Sequence, residues 1–418
     1  IGEDGLDGLS RAARAAISEA EIVFGGERHL ALVAPIVSGE THVWQTPFSA
    51  SIEAVLAARG HKVCVLASGD PFHYGVGATL SRRVDPAQML VIPQPSAFSL
   101  AAGRLGWPLQ EVACVSLHGR PIDLIRPHLH PAARILALTS DEHGPGALAA
   151  LLVEAGFGRS IITVLEALGG PDEQIRSQMA DGFMLGEINP LNICAITVAP
   201  LPGARVLPLT PGLDDALFEH DGQITKRDIR AVTLAALGPR RHELLWDIGA
   251  GSGSIGIEWM LADPSLRAVA IESDPDRAAR IMRNARKLGV PELRVVTGKA
   301  PLALTGLEAP HAIFVGGGGT HPGVMDAAID ALQSGGRLVC VGTDELVITD
   351  TGANLPYTFF RAEPGFQLDC NVRVGGFGQM RFGPGAGSIN IGGDGGITNG
   401  SGSTYFYSDI QYTSTRGV

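Results

Sequence analysis

The sequence predicts an α/β fold with two domains, and three observations support this prediction. In residues 1–200, short β-branched runs alternate with Ala- and Leu-rich stretches, a pattern typical of strands joined by crossover helices. A Pro/Gly-rich passage, Ala199–Gly212, then interrupts the pattern. A second alternating region follows, in which a strand, a glycine-rich turn and a helix succeed one another over Leu244–Trp259.

Composition and charge favour a soluble enzyme over a nucleic-acid or membrane protein. The 418 residues are 45% hydrophobic and 18% charged, with a formal net charge of −11. Such a chain offers no overall positive field to nucleic acid or an anionic membrane. No apolar run reaches the roughly 18 residues of a membrane-spanning helix. The five cysteines lie far apart without a C-x-x-C pair, so we expect no metal site, no disulfide framework and a cytoplasmic location.

The first domain is predicted over residues 1–200. Its apolar runs bounded by turn residues predict parallel strands at Lys62–Ala67, Met89–Ile92, Arg134–Thr139, Ile161–Leu165 and Asn192–Val198. The stretches between them predict helices at Ser51–Arg59, Ala97–Leu105 and Pro145–Ala155.

The second domain is predicted over 221–342, after a linker at 201–220. Its predicted helices are Lys226–Leu237, Ser254–Leu261 and Asp276–Leu288, and its predicted strands are Glu243–Ile248, Ala268–Ile271, Leu293–Val296, Ala312–Val315 and Arg337–Val341. Beyond Thr343, Gly, Ser, Thr and Asn dominate. Residues 343–418 therefore predict an atypical tail, either of low complexity or built from short antiparallel strands.

The glycine-rich turn of the second domain predicts a ligand site. The glycines in Gly249-Ala250-Gly251-Ser252-Gly253 allow a tight turn and a close approach of ligand to backbone, and the helix that follows can bind an anionic group. Glu272 ends the next strand about 20 residues later, where a carboxylate can accept both hydroxyl hydrogens of a ribose. Gly251–Gly256 also matches G-x-G-x-x-G, so a dinucleotide-dependent oxidoreductase that binds NAD(P) is an open alternative.

Asp247 favours a different cofactor. Dinucleotide folds usually keep this position apolar, whereas D-x-G-x-G-x-G resembles the S-adenosylmethionine loop of Rossmann-like methyltransferases. In these enzymes the loop after the third strand covers the adenine, which here indicates Ala300 in Thr297–Pro301. An ordinary turn would use the same residues. Gly316–Gly319 follows the fourth strand and suits the close approach of a bulky ligand, or forms a flexible loop.

A local cluster of basic residues precedes this turn. Lys226, Arg227 and Arg230 lie close together at the start of the first helix, with Arg240, Arg241 and His242 near its end. In a chain of negative net charge, this cluster indicates a substrate with several carboxylates, and a solvated helix face is the alternative. Lys226 and Arg227 are the candidates for holding substrate carboxylates.

Together, GQITKRDIR, WDIGAGSGSIGIEW, AIESD and GKAP resemble the decarboxylating precorrin-6Y C5,15-methyltransferases over about Asp221 to Val341. The resemblance adds Thr225 to the residues that bind S-adenosylmethionine. It implies methylation of a precorrin, a tetrapyrrole, at C5 and C15, and decarboxylation of the acetate at C12 in cobalamin biosynthesis. It also implies a homo-oligomer.

Two motifs in the first domain support the same family. ASGDPFHYGVG (Ala67–Gly77) resembles the G-D-P-x-x-Y-G loop of tetrapyrrole methylases, and IPQPSAFSLAAGRLGWP (Ile92–Pro108) resembles their P-x-x-S motif. The resemblance implies that Gly69, Asp70, Ser96 and Ala97 bind S-adenosylmethionine. A plain turn would use Gly69, Asp70 and Pro71 as well.

Both ends of the sequence depart from the family pattern. IGEDGLDGLS resembles the tail of the loop after the first strand of a tetrapyrrole methylase, so we expect that strand to be missing. After Val341 we expect the last two strands of the second sheet to be missing as well, which would leave an exposed edge. A non-catalytic remnant that binds cofactor weakly or not at all is therefore a further alternative.

Overall fold

The structure is a computed structural model that describes residues 1–319, 321–341, 346–350, 358–360 and 380–382. The chain divides into two compact units between Val206 and Leu207. The prediction for the tail, 343–418, falls mainly on residues outside the described ranges. Across the described residues, no helix is long and apolar enough to span a bilayer.

The first unit contains helices and strands in alternation. Its helices are α1 (Arg11–Ser18), α2 (Glu27–Val33), α3 (Phe48–Ala57), α4 (Val76–Leu80), α5 (Ala97–Leu105) and α6 (Gly144–Glu154). Its strands are β1 (Ile22–Gly25), β2 (Glu40–Val43), β3 (Val63–Val65), β4 (Val112–Ser116), β5 (Arg134–Leu138), β6 (Ile161–Glu166), β7 (Gln174–Met179) and β8 (Asn192–Thr197).

These strands form two sheets, of which one is parallel. The smaller sheet has the order β2-β1-β3 with parallel pairs, and of its strands the sequence predicted β3 but not β1 or β2. The larger has the order β4-β5-β8-β6-β7, and the prediction of parallel strands is wrong for most of it. β6 and β7 form a hairpin, and β8 is antiparallel to both β5 and β6. A short connection such as that between Glu166 and Gln174 permits only an antiparallel pair.

The strand predicted at Met89–Ile92 is also absent. These residues form no ladder, although their β-branched character favours an extended chain. β3 pairs with β1 on one edge only. Met89–Ile92 and β3 both line a cavity of about 580 Å³. The run therefore has strand propensity but no strand beside it.

The second unit follows the predicted order of elements closely. Its helices are α7 (Arg227–Leu237), α8 (Ser254–Ala262), α9 (Pro275–Lys287) and α10 (Val324–Ala331), and its strands are β9 (Leu244–Ile248), β10 (Arg267–Glu272), β11 (Arg294–Thr297), β12 (Ala312–Val315), β13 (Arg337–Val341) and β14 (Leu346–Asp350).

The sheet of the second unit has the order β11-β10-β9-β12-β13-β14. Its first five members are parallel, and β14 is antiparallel to β13. The expectation that both strands after β13 are missing is therefore wrong, because the apolar, β-branched segment Leu346–Asp350 extends the sheet. Farther along, the short strands Thr358–Phe360 and Met380–Phe382 pair in parallel.

Two apolar layers cover the faces of this sheet. Leu245 packs on one face with Trp259 and Ile281, and its neighbour Trp246 packs on the other with Ile313. This alternation with both faces buried is typical of a doubly wound α/β sheet. Leu207, Leu213 and Phe218, in the predicted linker, are buried in the first of these layers.

Candidate functional site

The glycine turn between β9 and α8 has a backbone that only glycine adopts without strain. Gly249 has φ of +70°, and a Cβ there would lie 2.6 Å from the carbonyl oxygen of Gly317. Gly253 has φ of +76°, and its Cβ would lie 2.7 Å from the side chain of Ile281. The turn is thus packed against the loop after β12 on one side and α9 on the other.

Glu272 ends β10 beside this turn and is 4% exposed. Its Oε2 accepts a hydrogen bond from the Gly251 amide at 2.8 Å, and its Oε1 accepts one from the Asp274 amide at 3.0 Å. A carboxylate has about four acceptor positions. The two amides therefore fix its orientation and leave acceptor capacity for the hydroxyls of a ligand.

Asp247 lies beneath the turn and is 1% exposed. Its Oδ2 accepts a hydrogen bond from the Gly256 amide at 2.9 Å, which joins β9 to the first turn of α8. Burial, reinforced by the nearby Glu272 charge, raises the pKa of this carboxyl from 3.8 to about 7. Within the described residues, Asp247 Oδ1 and the hydroxyl of Ser252 are buried without a hydrogen-bond partner.

The segment before α7 passes over the same turn. A Cβ on Gly251 would lie 3.4 Å from the carbonyl oxygen of Gln223. Thr225 is half-buried, whereas Lys226, the N-cap residue of α7, and Arg227 are exposed. In the described part of the chain, neither of these two basic side chains forms an ion pair. Both remain available to a ligand.

Arg230 does not belong to this exposed group. It is fully buried, and its Nε donates to Glu258 at 2.5 Å while its Nη1 donates to Asp215 at 2.9 Å. It also donates to the carbonyl oxygens of Thr225 and Leu213. The interpretation of Arg230 as part of a substrate-binding cluster is therefore wrong, because a carboxylate 28 residues away neutralises it.

Other predicted residues border the turn. The amide of Gly298 bonds to the carbonyl of Glu272 at 2.8 Å, so the loop with half-buried Ala300 begins beside that carboxylate. Gly316 bonds through its amide to the carbonyl of Ile248 at 2.8 Å. The structure thus brings the glycine turn, Glu272, Ala300 and Gly316 to the carboxyl edge of the sheet, whereas Arg240, Arg241 and His242 precede β9 at its amino edge.

In the first unit, the two predicted motifs contact each other. Gly69 has φ of +53°, and a Cβ there would lie 2.9 Å from both the carbonyl oxygen of Pro95 and the Cα of Ser96. Ser96 caps α5 by accepting from the Ser99 amide at 3.2 Å, and Asp70 accepts from the Phe72 amide at 2.8 Å. Gly69, Pro95 and Ala97 also line a common cavity of about 100 Å³.

A polar cluster beside this cavity was not predicted. Arg28 Nη2 lies 2.8 Å from His29 Nε2 and 3.1 Å from Ser68 Oγ, and His29 Nε2 lies 2.8 Å from the same Oγ. Arg28 also forms an ion pair with Glu3. Burial and the Arg28 charge lower the pKa of His29 to about 4. Arg28 and His29 follow β1, so recognising the strand at Ile22–Gly25 would have indicated them.

Comparison with known proteins gives a match for each unit. Residues 1–181 match the family described as tetrapyrrole (corrin/porphyrin) methylases, and residues 216–350 match the family described as precorrin methyltransferase domain. Over 366 residues, the chain is 60% identical to the precorrin-6Y C(5,15)-methyltransferase (decarboxylating) of Sinorhizobium sp.. That alignment covers 87% of this chain and 89% of the relative.

Two shorter relatives come from Salmonella typhimurium. Its cobalt-precorrin-7 C(5)-methyltransferase is 30% identical over 175 residues, which is 42% of this chain and 86% of that protein. Its cobalt-precorrin-6B C(15)-methyltransferase (decarboxylating) is 38% identical over 130 residues, which is 30% of this chain and 67% of that protein. These relatives are methyltransferases and give no support to a dinucleotide-dependent oxidoreductase. The chain therefore belongs to the family of decarboxylating precorrin-6Y C5,15-methyltransferases.

Proposed function

We propose that this chain transfers methyl groups from S-adenosylmethionine to C5 and C15 of a precorrin and removes CO2 from its C12 acetate side chain, in cobalamin biosynthesis. The observation that carries the proposal is the glycine turn with Glu272 beside it, in a chain of this family. The turn admits a ligand against its backbone, and Glu272 has free acceptor capacity at the place where a ribose would lie.

The second unit fits S-adenosylmethionine in further respects. Its turn has positive φ angles at Gly249, Gly251 and Gly253, and within the described residues the buried Ser252 hydroxyl has no hydrogen-bond partner. Gly249, Ala250, Gly253, Thr225 and Ala300 complete the proposed set. The bound cofactor supplies an activated methyl group, and the chain supplies its orientation.

In the first unit, we assign the cofactor to the surface formed by Gly69, Asp70, Ser96 and Ala97. Support comes from the contact between the two motifs and from the cavity that Gly69 and Ala97 line. One oxygen of Asp70 closes a turn by accepting from the Phe72 amide, which orients the carboxylate for a ligand amine or hydroxyl.

Each unit takes one methylation. The 175-residue match to the C(5)-methyltransferase is close in length to the matched segment 1–181, and the 130-residue match to the decarboxylating C(15)-methyltransferase is close to 216–350. We therefore assign C5 to the first unit, and C15 with the decarboxylation to the second.

Methyl transfer requires the cofactor and the macrocycle to be correctly positioned, and it needs no nucleophilic side chain. Electron-rich carbons of the macrocycle are themselves the nucleophiles, and well-oriented reactants gain roughly 7–11 kcal/mol over free ones. Lys226 and Arg227, both exposed at the start of α7, are our candidates for holding substrate carboxylates. Fixing the other carboxylates there would keep the C12 acetate in position as it loses CO2.

Calorimetric titration of the full chain with S-adenosylmethionine tests the cofactor assignment. We expect two sites per chain, of which Asp70→Ala removes one and Glu272→Ala the other. A folded chain that binds no S-adenosylmethionine would contradict the proposal and favour a non-catalytic remnant. Mass spectrometry of the product should then show two added methyl groups and the loss of one CO2.

A paired substitution tests the substrate carboxylates. The double variant Lys226→Ala/Arg227→Ala should bind the precorrin at least about tenfold more weakly, because charge-assisted hydrogen bonds contribute roughly 1.5–3 kcal/mol each. Its affinity for S-adenosylmethionine should be unchanged. The matched control is Arg286→Ala/Lys287→Ala, which removes two adjacent basic residues from the end of α9. Equal precorrin affinity in both double variants would refute the assignment.

We further propose a cytoplasmic location and a homo-oligomeric state. Within the described residues, Cys64, Cys114 and Cys194 have free thiols, which suits a reducing compartment. Light scattering of the purified chain tests the oligomeric state, and a monomer would refute the proposed homo-oligomer.

A further inference from the structure

We propose that Arg28 binds a carboxylate side chain of the tetrapyrrole in the first unit, with His29 and Ser68 as positioning residues that orient its guanidinium group. This inference rests on the proposed function and names the residue that holds the substrate at the first site.

The three residues lie together at one edge of the smaller sheet. Arg28 and His29 follow β1 and Ser68 follows β3, two neighbouring parallel strands, so all three lie at the carboxyl edge of that sheet. Ligands of open parallel sheets bind at this edge. Arg28 and Ser68 also line the cavity of about 100 Å³ that Gly69 and Ala97 line. The guanidinium group is therefore adjacent to the surface assigned to the cofactor.

The hydrogen bonds of the cluster define the protonation state of His29. An arginine side chain has donors only, so at 2.8 Å the His29 Nε2 must accept from it. His29 is then neutral with its proton on Nδ1, in agreement with its lowered pKa. Ser68 contributes an oxygen 3.1 Å from the same guanidinium nitrogen. Two neutral acceptors thus hold Arg28 in place without neutralising its positive charge.

Arg28 already binds a carboxylate. Its ion-pair partner is Glu3, which lines the same cavity. A planar guanidinium fork matches a carboxylate, and Glu3 demonstrates that one fits here. A precorrin has acetate and propionate side chains of the same chemistry. We infer that a substrate carboxylate replaces Glu3 at Arg28.

The test compares Arg28→Gln with a matched control, Arg104→Gln. Arg104, on α5, pairs with Glu173. The exposures of the two pairs are alike: 39% and 21% for Arg28 and Glu3, 43% and 21% for Arg104 and Glu173. Arg28→Gln should raise the KM for the precorrin in C5 methylation about 10- to 100-fold, the range for a lost charge-assisted hydrogen bond. The Kd for S-adenosylmethionine should stay within about twofold. Arg104→Gln should change neither.

Two further variants separate positioning from folding. His29→Gln keeps an acceptor near the place of Nε2 and should retain most of the affinity, whereas His29→Leu should raise KM several-fold with cofactor binding intact. Glu3→Gln should lower KM, because it removes the competing carboxylate.

The outcomes are distinguishable. An unchanged KM in Arg28→Gln, or a loss of cofactor binding together with substrate binding, would overturn the inference, because the first shows no contact and the second a structural role. Wild-type chain that methylates no precorrin would instead overturn the proposed function.

Discussion

Replacing Asp247 by asparagine removes a buried carboxyl whose proton affinity differs between the folded and unfolded chain. Its pKa rises on folding from 3.8 to about 7, chiefly through burial. Between these values the folded chain holds a proton that the unfolded chain has released. Stability is therefore lost as the pH rises through this window and is constant above it. At about 1.4 kcal/mol per pH unit, the loss between pH 5 and pH 8 is about 3 kcal/mol.

Asparagine keeps an oxygen that can accept from the Gly256 amide and does not titrate. We expect the stability of Asp247→Asn, relative to wild type, to rise by about 3 kcal/mol from pH 5 to pH 8. Urea unfolding followed through the buried Trp246 and Trp259 measures this difference. Asp330→Asn, an exposed change on α10, controls for the loss of one negative charge. Parallel pH profiles for wild type and Asp247→Asn would refute the reasoning.

Other substitutions test the packing and capping of the two sites. Gly249→Ala should destabilise the fold by about 2 kcal/mol or more, because the added Cβ meets the backbone of Gly317 and the φ angle is positive. Gly335→Ala is the control: its φ angle is also positive, but its Cβ would enter open space, so it should cost only about 1–2 kcal/mol. Equal losses in thermal unfolding would show that crowding is unimportant. Glu258→Gln should cost about 3–5 kcal/mol because the buried guanidinium of Arg230 loses its buried counter-ion and keeps only the partly exposed Asp215, against less than about 1 kcal/mol for the exposed Arg241→Gln. Denaturant titration checks both, and a small loss in Glu258→Gln would contradict the account of that pair. Ser96→Ala should cost about 1 kcal/mol through loss of the α5 cap, and an unchanged melting temperature would argue against it.

The second unit was predictable because its local signals agree with one another. Ala312–Val315 and Arg337–Val341 were predicted with the bounds that the structure has. Apolar runs, a glycine turn and capping residues there indicate the same strand-helix alternation. Gly249, Glu272 and Gly316 lie at the carboxyl edge of one sheet because they end or follow its parallel strands.

The first unit shows what sequence patterns leave open. A β-branched run predicts an extended chain, but neither its partner nor its direction. β8 is therefore antiparallel where parallel pairing was predicted, and Met89–Ile92 has no ladder. The same limit applied to Arg230, whose position in a basic run suggested a surface role. Its partner Glu258 lies on another helix, and only the fold brings the two together.

The Arg230–Glu258 pair also affects local unfolding of the second unit. Glu258, on α8, accepts from the amides of Gly212 and Leu213, while Arg230, on α7, donates to Leu213 and Thr225. The amide protons of Gly212 and Leu213 are therefore shielded by a helix more than forty residues farther along the chain. Regions linked in this way open as one cooperative unit. In hydrogen–deuterium exchange, these two amides should exchange at the rate of the α8 helix, although they lie in an irregular, proline-rich stretch.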